Sequence, residues 1–211
     1  MPPTASRRPG RPPAAKADET RKRILRAARQ VFSERGYDGA TFQAIAIRAD
    51  LTRPAINHYF SSKRALYREV VDQTNEVMLA AGIERAEREI TLMGRLTGFL
   101  ANAMRANSGD PSVAAFLVTN VLESQRHPEL STTANDAVRT SRDFLTRVVN
   151  EAIECGEVAT DVDASALVET LLIVLCGVGF YAGYLRSYQE MEAVIEMLRQ
   201  LLDGALWQPE N

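Results

Sequence analysis

The sequence predicts an all-α protein of about nine helices, with a three-helix N-terminal head and a C-terminal helical bundle. Three observations carry that reading. Residues 41–66, TFQAIAIRADLTRPAINHYFSSKRAL, read as two short capped helices joined by a tight turn and followed at once by a third helix start, a helix-turn-helix pattern. Apolar residues recur at helical spacing through the rest of the chain, and no stretch shows the period of two that marks a half-buried strand. Charge is divided: residues 1–68 hold 15 Lys/Arg against 5 Asp/Glu, and residues 69–211 hold 10 against 22.

Taken in order, residues 1–17 are rich in Pro, Ala and Arg, lack periodicity and read as a disordered basic arm. A first helix is expected over about residues 19–35, with Asp18 as N-cap and Gly36 as the stop. Its apolar face is Ile24, Leu25, Ala28, Val31 and Phe32. Thr41 and Thr52 are placed to cap the second and third helices, and Pro54 falls in the first turn of the third, where its missing N–H breaks no bond. Ala46, Ala49 and Ala55 allow a close crossing, with Ile45, Leu51 and Ile56 filling the seam. Asp50 occupies the turn, where a left-handed backbone is often needed and Asp tolerates it. Ser61 or Ser62 caps a fourth helix from Lys63, whose Leu66, Val70, Thr74 and Val77 pattern could continue to about residue 89.

Further helices are expected over residues 91–107, 111–125, about 129–155, a very apolar one capped by Asp163 and running to about 187, and 189–206. The domains so drawn are the arm (1–17), a helix-turn-helix domain (18–66) and a larger body (67–211).

Composition narrows the function. An apolar content of 45% allows a real core, and 25% charged residues suits a soluble protein. The nearest candidate for a membrane span, residues 164–185, contains Glu169 and three glycines and reads as a buried helix, so no membrane partner is expected. No apolar signal-peptide core precedes the head, which favours the cytoplasm. Cys155 and Cys176 fall in helical patterns and read as reduced structural thiols. His58 and His127 sit in no metal-spaced cluster, and there is no phosphate loop or nucleophile motif. No metal, cofactor or catalytic residue is therefore assigned. A head of balance +10 on a body of balance −12 points to a polyanion partner for the head alone.

The residues Ile24-Leu25, Ala27-Ala28, Val31-Phe32, Gly36-Tyr37, Thr41, Ile45-Ala46, Ala49, Ile56, Tyr59-Phe60-Ser61-Ser62-Lys63 and Ala65-Leu66 fall in a familiar order and spacing. Over about residues 20–70 the chain resembles the tetracycline-repressor (TetR) family of transcriptional regulators. Beyond residue 70 the resemblance rests on helix number and length and on the Gly156-Glu-Val to Asp161-Val-Asp163 approach to the apolar eighth helix. Three residues depart from the family pattern: Asp50 for the usual Gly, Asn57 where Tyr is frequent, and Arg64 for a frequent Glu.

The resemblance implies a reader of double-stranded DNA. The third helix would enter the major groove and present Arg53, Pro54, Asn57 and His58. Arg suits a guanine edge and Asn an adenine edge, so Arg53 or Asn57 is expected to touch a base, with a phosphate contact the competing use of Arg53. Tyr59 and Lys63 match family positions that hold phosphates, Thr41 and Arg48 are expected on the backbone, and Thr52 belongs to the same face. His58 could stack, donate to phosphate or cap its helix. In the arm, Arg7, Arg8 and Arg11 surround a Gly-Arg-Pro core that suits the minor groove of A·T-rich DNA.

One helix-turn-helix covers little DNA, so a homodimer on a near-palindrome is expected. The resemblance places its interface on the last two helices, with Val168, Leu172, Cys176, Gly179 and Gly183 on one face and Val194, Leu198, Leu201 and Leu202 on the other. It also implies a small-molecule pocket, with Met78, Phe99, Met104, Phe116, Asn120, Phe144 and Tyr181 as candidate lining. The scarcity of charge on the inferred inner faces favours a neutral, largely apolar effector. Each such residue has plain core packing as its alternative. The rival function is a DNA-binding or architectural protein that answers to protein partners.

Overall fold

The computed structural model describes residues 13–130, 136–182 and 188–202. These are helical nearly throughout, and among the described residues no strand forms. Helix α1 (Pro13–Gly39) begins earlier than expected. Asp18 is not its cap; it lies inside the helix, paired with Lys22 one turn on at 2.8 Å. Helical backbone ends at Gly36, with φ 68° and ψ 179°.

Helices α2 (Phe42–Arg48) and α3 (Arg53–Tyr59) start where the sequence places them. Thr41 Oγ1 accepts the Ala44 N–H at 3.1 Å, and Thr52 Oγ1 accepts that of Ala55 at 3.3 Å. Asp50 takes the left-handed turn conformation at φ 52°. Ile45, Ala46, Ala49 and Ile56 are buried in the crossing. Ser62 caps α4 (Lys63–Asn75) by accepting the Ala65 N–H.

The long fourth helix of the sequence reading is interrupted. A π-helical turn (Glu76–Ala80) joins α4 to α5 (Ala81–Ala86). The extra residue in that turn shifts the helical register. Leu66, Val70 and Thr74 point inward as expected, but Val77 is exposed and Met78 takes the inward place.

The body continues with α6 (Leu92–Gly109), capped by Thr91, and α7 (Ser112–Arg126). The long helix expected from residue 129 begins instead as α8 (Ala137–Glu154), capped by Asp136; Pro128–Leu130 is a separate 3-10 turn. Gly156, at φ 76°, follows α8. Asp163 Oδ1 accepts the N–H groups of Ser165 and Ala166 at the start of α9 (Ala164–Ala182), and α10 (Tyr188–Leu202) is last among the described elements.

Packing joins the head to the body. The head core, built on Ile24, Phe32, Ile45, Ile56, Leu66 and Tyr67, is completed by Phe116 of α7 and by Leu130. A second core lies between α5, α6, α8 and α9, around Phe99, Phe144, Leu145 and Leu172. A third joins α6 to α10 through Leu100, Met104, Met191 and Ile195. The expectation that α9 is a buried helix does not hold. It is long and apolar enough to cross a membrane, yet 22% of its most apolar 18-residue window is buried in the single chain. Val168, Leu171 and Leu172 face the core, while Ile173, Phe180 and Tyr181 face out.

Candidate nucleic-acid interface and inner cavity

Arg53, Pro54, Asn57 and His58 are all exposed on one face of α3 beside its cap Thr52, which is also exposed. The geometry follows from the buried Ile56, which anchors the opposite face. The His58 ring meets Tyr59 edge-on at 5.4 Å, and Tyr59 packs partly against the head core.

Two other expected DNA contacts are engaged inside the head. Arg48 forms a two-pronged pair with Glu34, at 2.8 Å for each contact. Its hydrogen bond holds the Glu34 carboxyl below its ordinary pKa. The Lys63 ammonium donates to the carbonyls of Tyr37 (2.7 Å), Asp38 (3.3 Å) and Ala40 (3.2 Å), and it lies 4.4 Å from the Tyr37 ring centre. Those three acceptors account for its three N–H donors, so Lys63 ties the end of α1 to the start of α4. A phosphate would have to displace one of them. Arg7, Arg8 and Arg11 lie outside the described residues.

Inside the body, α6, α7, α8, α9, α10 and the π-turn line a partly open cavity of about 290 Å³. Met78, Phe99 and Met104 line it as expected. The other four expected lining residues do not. Phe116 sits in the head core, edge-on to Tyr67. Asn120 accepts a hydrogen bond from the Tyr67 hydroxyl at 3.0 Å, which ties α7 to α4 and supplies the partner its amide needs. Phe144 lies behind the wall, stacked on Phe99 at 5.3 Å. Tyr181 faces outward. Sequence periodicity shows an apolar face but not which of two neighbouring cores that face meets.

The outward face of α9–α10 also differs from expectation. Leu172, Cys176 and Gly179 line the cavity, and Val168 is core. The outward residues of α9 include Ile173, Cys176, Gly177, Phe180 and Tyr181, so Cys176 is exposed as expected while it and Phe180 also border the cavity. On α10, Val194 and Leu201 are exposed as expected, joined by Met197, while Leu198 packs partly inward. Gly183 and the Leu202 side chain lie outside the described ones. The spacing 173, 177, 180 was available in the sequence as a second apolar stripe; α9 is apolar all round, so spacing alone does not choose between them.

Two polar joints, neither foreseen, connect the body to the head. Arg29 of α1, 7% exposed, bonds Asp110 at 2.9 Å and Ser112 Oγ at 3.2 Å in the α6–α7 turn. Arg64 and Arg68 of α4 both donate to the Glu129 carbonyl.

Residues 24–70 match the family described as "Bacterial regulatory proteins, tetR family", and residues 93–198, half of the chain, match "Tetracyclin repressor-like, C-terminal domain". The chain belongs to the TetR family. It is therefore a transcriptional regulator with a DNA-binding helix-turn-helix, and such regulators are not enzymes. Among TetR relatives, the HTH-type transcriptional regulator UidR of Escherichia coli K12 is 28% identical over 162 residues, covering 77% of this chain and 81% of that one. The solved structure of Salmonella enterica GusR is 26% identical, with a TM-score of 0.64 over 89% of this chain and 95% of the other. The Bacillus subtilis regulator FadR, solved in complex with stearoyl-CoA, shares the TetR fold at a TM-score of 0.65, with 19% identity over 84% of this chain and 96% of the other.

Proposed function

We propose that this TetR-family protein is a ligand-responsive repressor that binds a near-palindromic operator as a homodimer in the cytoplasm and is released by a small, largely apolar effector. The observation that carries the reading is the position of the cavity. Its wall includes Met78 and Leu79 of the π-turn, and that turn continues α4 from the α3–α4 corner into the body. An effector that prefers one arrangement of the turn would bias the placement of the head, and only its differential affinity for the two arrangements can do so.

In this reading residues 18–66 bind DNA, residues 67–211 bind effector and partner, and the arm before them grips the minor groove through Arg7, Arg8 and Arg11. The outward stripe of α9 and α10 is the dimer face. Ile173, Phe180, Tyr181, Val194, Met197 and Leu201 are large apolar side chains left exposed there, and exposed apolar surface of this kind marks an interaction site. An added Cβ at Gly177 would meet nothing within 4 Å, so this exposed position leaves room for a partner's backbone to approach. Asn57 and Arg53 are the base-contacting residues, supported by their exposure and by the chemistry of their side chains.

Selection of bound DNA from a random pool tests this. The wild type should recover a near-palindrome, and Asn57→Ala and Arg53→Ala should each relax the preference at particular positions, at about 1–3 kcal/mol per lost bidentate pair. An unchanged consensus from both variants rejects the base-contact assignment.

A further inference from the structure

The chemistry of the cavity wall narrows what can occupy it. Among the described residues of the lining none is charged, Ser141 supplies the only hydroxyl and Cys176 the only thiol. Partial desolvation raises the thiol pKa of Cys176, which is exposed at the cavity rim, so that group stays neutral. The nearby guanidinium of Arg142 is held by Glu169, at 2.6 Å from Nε and 3.3 Å from a terminal nitrogen. An anionic group entering the cavity would find no uncommitted cation among the described lining residues, and it would exchange part of its hydration for an apolar wall.

Ser141 stands apart from its neighbours on α8. Thr140 and Thr146 each turn the hydroxyl back onto a carbonyl one turn earlier, those of Asp136 and Arg142. Ser141 makes no such bond and no other hydrogen bond among the described residues. Its donor and its acceptor both remain available to an occupant.

We propose that the cavity receives an uncharged amphiphile, an apolar chain or ring body bearing one neutral hydrogen-bonding group, which Ser141 engages while the body packs against Met78, Phe99 and Met104. Ser141 supplies the hydrogen bond for a hydroxyl or carbonyl terminus, and the uncharged wall disfavours an ionised one. The biological meaning rests on the effector reading above; the binding chemistry does not.

The test is calorimetric titration of the full-length protein without DNA, at pH 8, using 1-decanol and decanoate as probes. The alcohol should bind, with decanoate at least about tenfold weaker. Ser141→Ala should weaken the alcohol by about three- to tenfold, one neutral hydrogen bond, and leave decanoate unchanged. Ala103→Phe, which fills the cavity, should abolish both. Decanoate binding as tightly as the alcohol overturns the uncharged class, and an unchanged alcohol affinity in Ser141→Ala overturns the role of Ser141. Binding that persists in Ala103→Phe, or no binding of either probe by the wild type, overturns the site. Operator release is measured separately on the selected DNA: alcohol binding with the expected Ser141 dependence but without release supports the ligand class and rejects the effector reading.

Discussion

Gly36 meets two demands at one position. Its φ of 68° and ψ of 179° belong to a region open essentially to glycine, and a Cβ there would sit 2.7 Å from Glu123 Oε1. Gly36→Ala should therefore cost roughly 1–3 kcal/mol in denaturant unfolding, from backbone strain alone. Arg29 and Asp110 form a second residue-scale feature. Burial by itself would raise the Asp110 pKa, but hydrogen bonds from Ser112 and the Arg29 guanidinium outweigh it and hold the carboxyl below its ordinary 3.8. With the folded pKa below the unfolded one, the stabilisation is complete above that ordinary value and is lost as pH falls through the folded pKa. Asp110→Ala strands a buried arginine, so it should cost about 3–5 kcal/mol at pH 7 and flatten the acid limb of a stability profile below about pH 4. An acid limb of unchanged slope would remove Asp110 from the explanation. The sequence made Gly36 legible as a stop, because helices end at glycine. It gave no sign of the Arg29–Asp110 pair, since 81 residues separate the partners and ordinary surface charges look the same.

Among the elements, the α4–π–α5 segment carries the most consequence. A π-turn leaves backbone carbonyls without their usual helical partners, and Asn102 of α6 donates to those of Val77 (3.0 Å) and Met78 (3.5 Å). On the other side, Gly82 lets the Phe99 ring lie so close that a Cβ would be 3.0 Å from it. One residue of the cavity-bearing helix thus holds the turn, and another packs on the start of α5 that follows it. Asn102→Leu should remove about 1 kcal/mol of support for the π arrangement, a roughly fivefold shift in any equilibrium between helical registers. Operator affinity measured with and without ligand should show altered ligand-induced release while each binding event alone survives. Identical release in the variant would exclude the turn as the coupling element. The helix itself was readable from the spacing of Leu66, Val70 and Thr74, but the register slip was not. Nothing in the local propensity of Glu76–Ala80 demands it, and the partners that hold the turn come from α6.

At the scale of the whole molecule, an apolar outward face on α9 and α10, together with an exposed helix-turn-helix, suits a protein that works as two copies. Ile173→Glu with Met197→Glu would place two carboxylates in the proposed contact while leaving the inward core of α9 and the cavity wall intact. Sedimentation should show a monomer with unchanged helix content, and operator affinity should fall by orders of magnitude because two half-sites are no longer linked. A dimer that survives both substitutions would place the interface elsewhere. The all-α class, the head with its caps, the left-handed Asp50 and the outward Arg53–Asn57 face were determined by the sequence itself. Each depends on local rules, namely helical period, capping chemistry and turn conformation, which act over a few residues. Tertiary structure alone decided that Phe116 and Asn120 serve the head rather than the cavity, that Lys63 is committed to three carbonyls, and that α9 turns Ile173 rather than Leu172 outward. Those outcomes depend on which apolar face meets which neighbour, a choice made by packing between segments far apart in the chain, and a helix that is apolar all round carries no mark of it.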